Sequence, residues 1–286
     1  MKIASIDIGT NAVKSKVFET TPTSIDFLEG IRSPIRLGTE VFNNGFLSNK
    51  KLDELTKTLK KYQKNFASNK IKMYEIVATS AFRDTQNSEK ARRYIENKIE
   101  HPIRIISGLE EAKLIRFHPK AQSGSNKAYV DVGGGSTELY IHQDGKHIIQ
   151  SFQLGAIRGM LGKEDAKEWK RLEEWLKKQS KISNLVGLGG SIRSFLNIHD
   201  SKKMSNLDFI QKSSDLSSLS LDDKILNYKL ENDRADVIDH ALKIYLKIIA
   251  GLGIKNIKAT KWGVSDSIAV KTFHELYSKK ISIYKD

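Results

Sequence analysis

Apolar residues recur along this chain in two rhythms, one of strands and one of helices. Residues 2–8, 12–19 and 24–30 are short β-branched runs in close succession. They predict three strands and an antiparallel start to a mixed sheet. From Leu52 the rhythm changes: Leu55, Leu59, Tyr62 and Phe66 follow at helical spacing, after Ser48 as an N-cap. Lys50, Lys51, Lys57, Lys60, Lys61 and Lys64 cover the rest of that helix, which reads as a solvated face. Met73 to Ala78 reads as a short buried strand, 88–100 as a helix and Ile103 to Ile106 as another strand. That strand ends at Ser107, which forms a capping box with Glu110 three residues on.

The pattern restarts at Lys127. Tyr129 to Val132 reads as an apolar strand, Gly133-Gly134-Gly135 as a turn, and Ser136 to Ile141 as a return strand. Alternation puts Ser136, Glu138 and Tyr140 on one face and Thr137, Leu139 and Ile141 on the other. Glu138 is therefore expected on a polar face near the turn, not in the core. A strand near 146–153, a turn at Leu154-Gly155-Ala156 and a helix around 163–178 come next. Asn184 to Leu188 is a buried strand running into Gly189-Gly190-Ser191, where a helix N-terminus could receive an anion. Residues 199–223 are polar and serine-rich, read as loop and short helix. A long helix over Arg234 to Ala250, a strand over Ile257 to Ala259 and a terminal helix over 263–279 complete the chain. Strands alternate with helices in both halves, which makes this an α/β protein.

A chain of 286 residues has room for about two domains. No cysteine is present, so disulfide and thiol chemistry are excluded. No apolar run approaches the roughly 18 residues of a membrane span, and no signal-peptide layout appears at the start. A cytoplasmic protein without a membrane partner is expected. Lys plus Arg is 48 against 34 Asp plus Glu, a formal charge of +14, which favours a polyanionic partner. A general lysine bias gives the same excess. Nucleic acid is disfavoured, because no zinc finger, helix-turn-helix or RNA-binding aromatic signature is present.

The hairpin around Gly133 has an echo near the N-terminus. In both places an apolar strand ends in Asp, apolar residue, Gly: Asp7-Ile8-Gly9 and Asp131-Val132-Gly133. Consecutive glycines let backbone approach a ligand closely, and their N–H groups can converge on an oxyanion. A plain tight hairpin has the same composition. Its recurrence in both halves favours two similar domains facing one phosphate-holding cleft. Glu111 is rotated about 100° from the capping Glu110, so the cap does not explain it. It is a candidate to orient a water, or a first-turn acid favoured by the helix dipole.

Several stretches together resemble the exopolyphosphatase / guanosine pentaphosphate phosphatase (Ppx/GppA) family. They are Asp7 to Asn11, Ala78 to Arg83 with Asn87, Ile106 to Ala112, and Asp131 to Leu139, with Gly189-Gly190-Ser191 and Arg234 to Ile238 at fitting places. The resemblance implies two actin-like ATPase (ribonuclease H-like) domains around a central cleft, in the short two-domain form. Domain I would span 1–120 and domain II 121–270, with the C-terminal helix, about 270–286, packing back on the first. It implies an exopolyphosphatase or guanosine-5'-triphosphate,3'-diphosphate pyrophosphatase that releases orthophosphate. The substrates would be polyphosphate or guanosine penta/tetraphosphate, and a homodimer is left open.

Matched by motif, Glu111 falls on the catalytic acid, and Asp131 and Glu138, with Asp7, on the acids that hold a divalent metal. Phosphate contacts fall on Gly9, Thr10, Asn11, Arg83, Gly133, Gly134, Gly135, Ser136, Gly190 and Ser191. Bare carboxylates near phosphate repel by about 4 kcal/mol per pair at 4 Å and an effective dielectric of 20. Mg²⁺ between them, or Mn²⁺, would bridge instead, and oxygen-only ligands suit Mg²⁺. The histidines are dispersed, which argues against zinc.

The chain departs from the family pattern at Ala12, Lys113 and Ser265-Asp266-Ser267, and Ala241 stands where a helix glycine is expected. These changes bear on substrate choice and rate, and they leave two alternatives open. One is a non-catalytic sensor of polyphosphate or alarmone; the other is an actin-like ATPase or kinase. No Walker A run exists to suggest a different NTPase class.

Overall fold

A computed structural model describes residues 1–121, 126–143 and 145–277. They fall into two units, one of Met1–His118 with the segment that begins at Val264, the other of Pro119–Gly263.

In the first unit the three leading strands form as their β-branched runs predict: β1 (Lys2–Ile8), β2 (Val13–Thr20) and β3 (Ile25–Ser33), successively antiparallel. Helices α1 (Leu37–Asn44) and α2 (Asn49–Ser68) lead to β4 (Met73–Ala78). After α3 (Ser80–Asp84) and α4 (Ser88–Ile99) come the two-residue β5 (Arg104–Ile105) and α5 (Gly108–Leu114). The sheet order is β3-β2-β1-β4-β5, with β4 parallel to β1 and β5 parallel to β4. Helix α2 buries the five apolar residues its spacing singled out, and the Ser48 side chain accepts from the Lys51 N–H. Burial of each such side chain stabilises by roughly 1.5–3 kcal/mol, far more than helix propensity contributes. α1 gave no periodic signal because only Leu37, Gly38 and Val41 of its residues are buried.

The second unit repeats that plan. Its strands are β6 (Lys127–Val132), β7 (Thr137–Gln143) and β8 (Lys146–Phe152), again antiparallel in succession. Helices α6 (Ala156–Met160) and α7 (Ala166–Lys177) precede β9 (Asn184–Leu188), which is parallel to β6. Then follow α8 (Gly190–Asn197), β10 (Lys203–Ser205), α9 (Asn206–Ser217) and α10 (Leu221–Leu226). α11 (Asn232–Ala235), α12 (Ile238–Leu252) and β11 (Asn256–Ala259) close the unit. Read from β8 inward, the order β8-β7-β6-β9-β11 matches that of the first sheet, with β10 added antiparallel at the edge.

The expected loop over 199–223 is mostly helix. Its serines mislead because two of them are N-caps: Ser205 accepts from the Asp208 N–H and Ser220 from the Asp223 N–H. Phe209, Ser213 and Leu216 form the buried stripe of α9. The expected helix over 234–250 is instead one turn, α11, followed by α12 after a break at Asp236–Val237.

α13 (Val264–Leu276) returns to the first sheet. The Ser5 hydroxyl donates to the Ser265 carbonyl at 2.7 Å, Lys16 pairs with Asp266 at 2.5 Å, and Phe273 packs with Ile3 and Phe18. The rest of the terminal helix expected to 279, and of the segment about 270–286, lies outside the described residues. Among the described residues no helix is long and apolar enough to cross a membrane.

Candidate active site

In each unit the candidate residues leave the carboxyl ends of the parallel strands, where open α/β sheets gather ligands. In the first unit these ends are joined by Thr79 N–H to Ile8 carbonyl at 3.1 Å and Ile106 N–H to Ala78 carbonyl at 3.1 Å. The Gly9 turn, the start of α3 and the start of α5 therefore emerge side by side.

The two acid–glycine turns have the same frame. Gly9 N–H donates to the Ala12 carbonyl at 3.1 Å, and Gly133 N–H donates to the Ser136 carbonyl at 2.9 Å. Glycine is required at the first, where an added Cβ would stand 2.9 Å from the Ala12 oxygen; at the second a Cβ would be crowded, 3.1 Å from the Ser136 oxygen.

The carbonyls of the second turn are all engaged on one side. Gly133 accepts from the Ala156 N–H at 2.9 Å, and Gly134 from those of Ile157 and Arg158 at 2.8 and 3.2 Å. The Arg158 guanidinium donates Nε–H to the Gly135 carbonyl at 2.6 Å. A trans peptide sends each N–H opposite to the preceding carbonyl, and no cis peptide occurs among the described residues. The N–H groups of Gly134, Gly135 and Ser136 accordingly turn together away from α6, as an anion nest requires. Gly155 makes this possible, because a Cβ there would meet the Gly134 oxygen at 2.5 Å. In the first turn the Thr10 and Asn11 carbonyls accept from the Gly38 and Arg36 N–H groups, both at 3.0 Å. The N–H groups of Asn11 and Ala12 turn the other way.

The charges on the two turns differ. Across the first hairpin Asp7 is paired in register with Lys14, whose ammonium stands 3.4 Å from Oδ2. Across the second, Asp131 is paired with Glu138. Glu138 is 2% exposed and accepts from the Ser151 hydroxyl at 2.9 Å. The expectation that Glu138 stays out of the core is thus corrected. β7 lies between β6 and β8, and it is buried on both faces from Thr137 to Ile141.

Asp131 lies against the start of α8. Gly189, at φ 82°, brings it there; a Cβ on Gly189 would come within 2.6 Å of Asp131 Oδ1. Gly190 in turn accommodates the Arg234 guanidinium, 2.2 Å from where its Cβ would be. The buried Tyr245 hydroxyl donates to the Val130 and Leu188 carbonyls at 3.3 Å. Burial and then the charge of Asp131 push its pKa well up, so it remains a donor.

Arg83 and Glu111 meet in the first unit. Arg83 donates to Glu111 Oε2 and to the Ile106 carbonyl, at 2.7 and 2.9 Å. Glu110 makes its half of the capping box with Ser107 and also receives Arg104 at 2.6 Å, which leaves Glu111 out of the cap.

Lys14, Arg158 and Gly155 were missed as site residues. Lys14 was legible from strand pairing, being the cross-strand neighbour of Asp7. Arg158 and Gly155 carry no local signal, because their role depends on α6 docking onto the turn.

Among the described residues no group of three or more His, Asp or Glu side chains stands together as a metal cage. Asp131 and Glu138 are a pair of carboxylates in register, one of them buried. Such a pair fits Mg²⁺, which takes one or two carboxylates and completes its shell with water and phosphate oxygens.

The strand order 3-2-1-4-5, present twice, is that of the ribonuclease H-like class to which actin-like ATPase domains belong. A family model described as the Ppx/GppA phosphatase family matches residues 16–276, and the chain belongs to that family. The Ppx/GppA family member of Aquifex aeolicus shares 23% identity with a TM-score of 0.77, covering 99% of each chain. An exopolyphosphatase from Cytophaga hutchinsonii shares 18% identity with a TM-score of 0.85, covering 96% of this chain and 98% of that one. A bifunctional 3-dehydroquinate synthase/phosphatase of Fusobacterium nucleatum is 29% identical over 277 residues, 82% of this chain and 41% of that protein. The chain spans less than half the length of the curated relatives it matches.

Proposed function

We propose that this chain hydrolyses terminal phosphoanhydride bonds of inorganic polyphosphate, guanosine pentaphosphate or both, and releases orthophosphate. Family membership supports the reaction class. The observation that carries the reading is the second turn, where three N–H groups face one way beside two carboxylates in cross-strand register.

Phosphoryl transfer passes through a loose transition state, so the protein has mainly to position groups and balance charge. The N–H groups of Gly134, Gly135 and Ser136 receive phosphoryl oxygens. Asp131 and Glu138 would hold Mg²⁺, with Mn²⁺ as a substitute; bound there, the ion would neutralise phosphate charge. Ser151 and the backbone at Gly189 fix those two carboxylates. Glu111, oriented by Arg83, takes the proton of the attacking water. Asp7 keeps its own counter-charge in Lys14.

The test compares orthophosphate release from polyphosphate, guanosine pentaphosphate and ATP, with Mg²⁺ and with chelator. Glu111→Gln should lower turnover by a factor of about 10² to 10⁴, the usual contribution of a general base, and leave substrate affinity intact. An unchanged rate removes Glu111 from the mechanism. A second reading, a binder of the same anions without turnover, draws support from the Arg83–Glu111 ion pair, which occupies the carboxylate. No orthophosphate from any substrate, with tight binding retained, would establish that reading.

A further inference from the structure

The second sheet carries a charge arrangement that its fold does not explain. Lys203 on β10 and Lys258 on β11 are direct cross-strand partners. Like charges directly opposite one another destabilise an antiparallel pair. Among the described residues no carboxylate lies within ion-pair distance of either ammonium group. Burial and then the charges of Lys120, Lys127 and Lys203 hold the Lys258 pKa below its ordinary value. Four lysines of one unit thus share one field. Lysines on a sheet edge discourage edge-to-edge pairing, but that purpose needs no second lysine facing the first from β11.

Register ties this patch to the candidate site. Tyr129, Val186, Lys258 and Lys203 form one row across β6, β9, β11 and β10, and the side chain of Asp131 falls on the same face two residues on. Two strand spacings and two residues separate Lys258 from Asp131, roughly 12 Å between Cα atoms, with Lys203 one strand further. Tyr129 and Val186 in that row are buried, so a phosphate chain joining the two places runs over the surface around them. A short phosphate seated at the glycine turn does not span that path, whereas a long linear chain has the length to do so. The patch also lacks a stacking platform for bases, since the one aromatic residue in that row, Tyr129, is buried.

We propose that Lys203 and Lys258, backed by Lys127 and Lys120, form a second contact for a linear inorganic polyphosphate chain, outside the site at the glycine turn. This rests on the reading that the substrate is a phosphate polymer. It adds that long chains are held at two places and short ones at one.

Binding of long-chain polyphosphate and of tripolyphosphate is measured as a function of salt for the whole chain, Lys203→Ala/Lys258→Ala and Lys203→Glu/Lys258→Glu. The alanine pair should lower the log–log salt slope for long chains by roughly two, about one per lost contact. It should weaken long-chain affinity at least fivefold, with tripolyphosphate within twofold. The reversal variant should weaken it further, and thermal unfolding confirms that both variants fold. Equal affinity of wild type and alanine variant for long chains overturns the proposal, as does an equal loss for tripolyphosphate. Single-stranded RNA of equal charge that depends on the two lysines as strongly also overturns it. These are binding readouts, so an absence of orthophosphate release would count against the proposed reaction and leave this test standing.

Discussion

The two acid–glycine turns share a backbone and differ at one cross-strand position. In both, a glycine closes a four-residue link by donating to the carbonyl three residues on. Opposite the acid, however, the first hairpin has Lys14 and the second has Glu138. In the first unit the acid is neutralised from within the protein. In the second, two carboxylates face each other, the pair proposed above to hold Mg²⁺. A repeated fold can thus set a base or an acid opposite its turn aspartate through a single residue.

The largest effect should come from erasing that difference. Glu138→Lys makes the second turn resemble the first, and phosphate release should fall about a thousandfold, with Mg²⁺ no longer detected by calorimetry. That factor corresponds to about 4 kcal/mol of lost transition-state stabilisation. Retained Mg²⁺ binding would show that the ion sits elsewhere. Lys14→Glu tests the converse: the first turn becomes a second acid pair, and the midpoint of thermal unfolding should become Mg²⁺-dependent.

Gly155→Ala should come next. Its Cβ would collide with the Gly134 oxygen, and such overpacking costs about 1–3 kcal/mol. Thermal unfolding should detect this, along with at least tenfold weaker phosphate binding. Arg158→Ala removes the guanidinium hydrogen bond to the Gly135 carbonyl, worth about 1.5–3 kcal/mol. Unfolding should move by a few degrees and substrate affinity by about tenfold. An unaltered affinity would mean that α6 alone fixes the turn.

The smallest effect concerns pH, and it belongs to the second unit. Burial lowers the pKa of His199 and His240 below the ordinary 6.5. Below pH 6.5 the unfolded chain therefore binds protons that the folded unit resists, so stability falls with decreasing pH until the depressed values are passed. Substituting both with asparagine should flatten this dependence between pH 6.5 and 5, as followed by thermal unfolding.

Much of this was legible in the sequence, and the parts that were not share a cause. The three leading strands, the twin turns, the Ser48 cap and the Ser107–Glu110 box rest on neighbours within a few residues, and local chemistry decides them. The family resemblance rests on the same short motifs. Glu138 was misjudged because alternation tells which face a side chain takes and not whether that face is covered. Ser205 and Ser220 looked like loop residues because a capping serine and a loop serine differ only in the conformation of the residues after them. Arg158 and Gly155 stayed hidden because each acts on the backbone of the glycine turn from a distant part of the chain.

The return of α13 to the first sheet has a consequence for how the molecule is made. Pro119–Gly263 is one continuous stretch, while its neighbour needs Ser265, Asp266 and Phe273 to complete its packing. On a ribosome the half begun first is therefore finished last, and a fragment stopped at His118 would emerge with the apolar bed of a missing helix laid open.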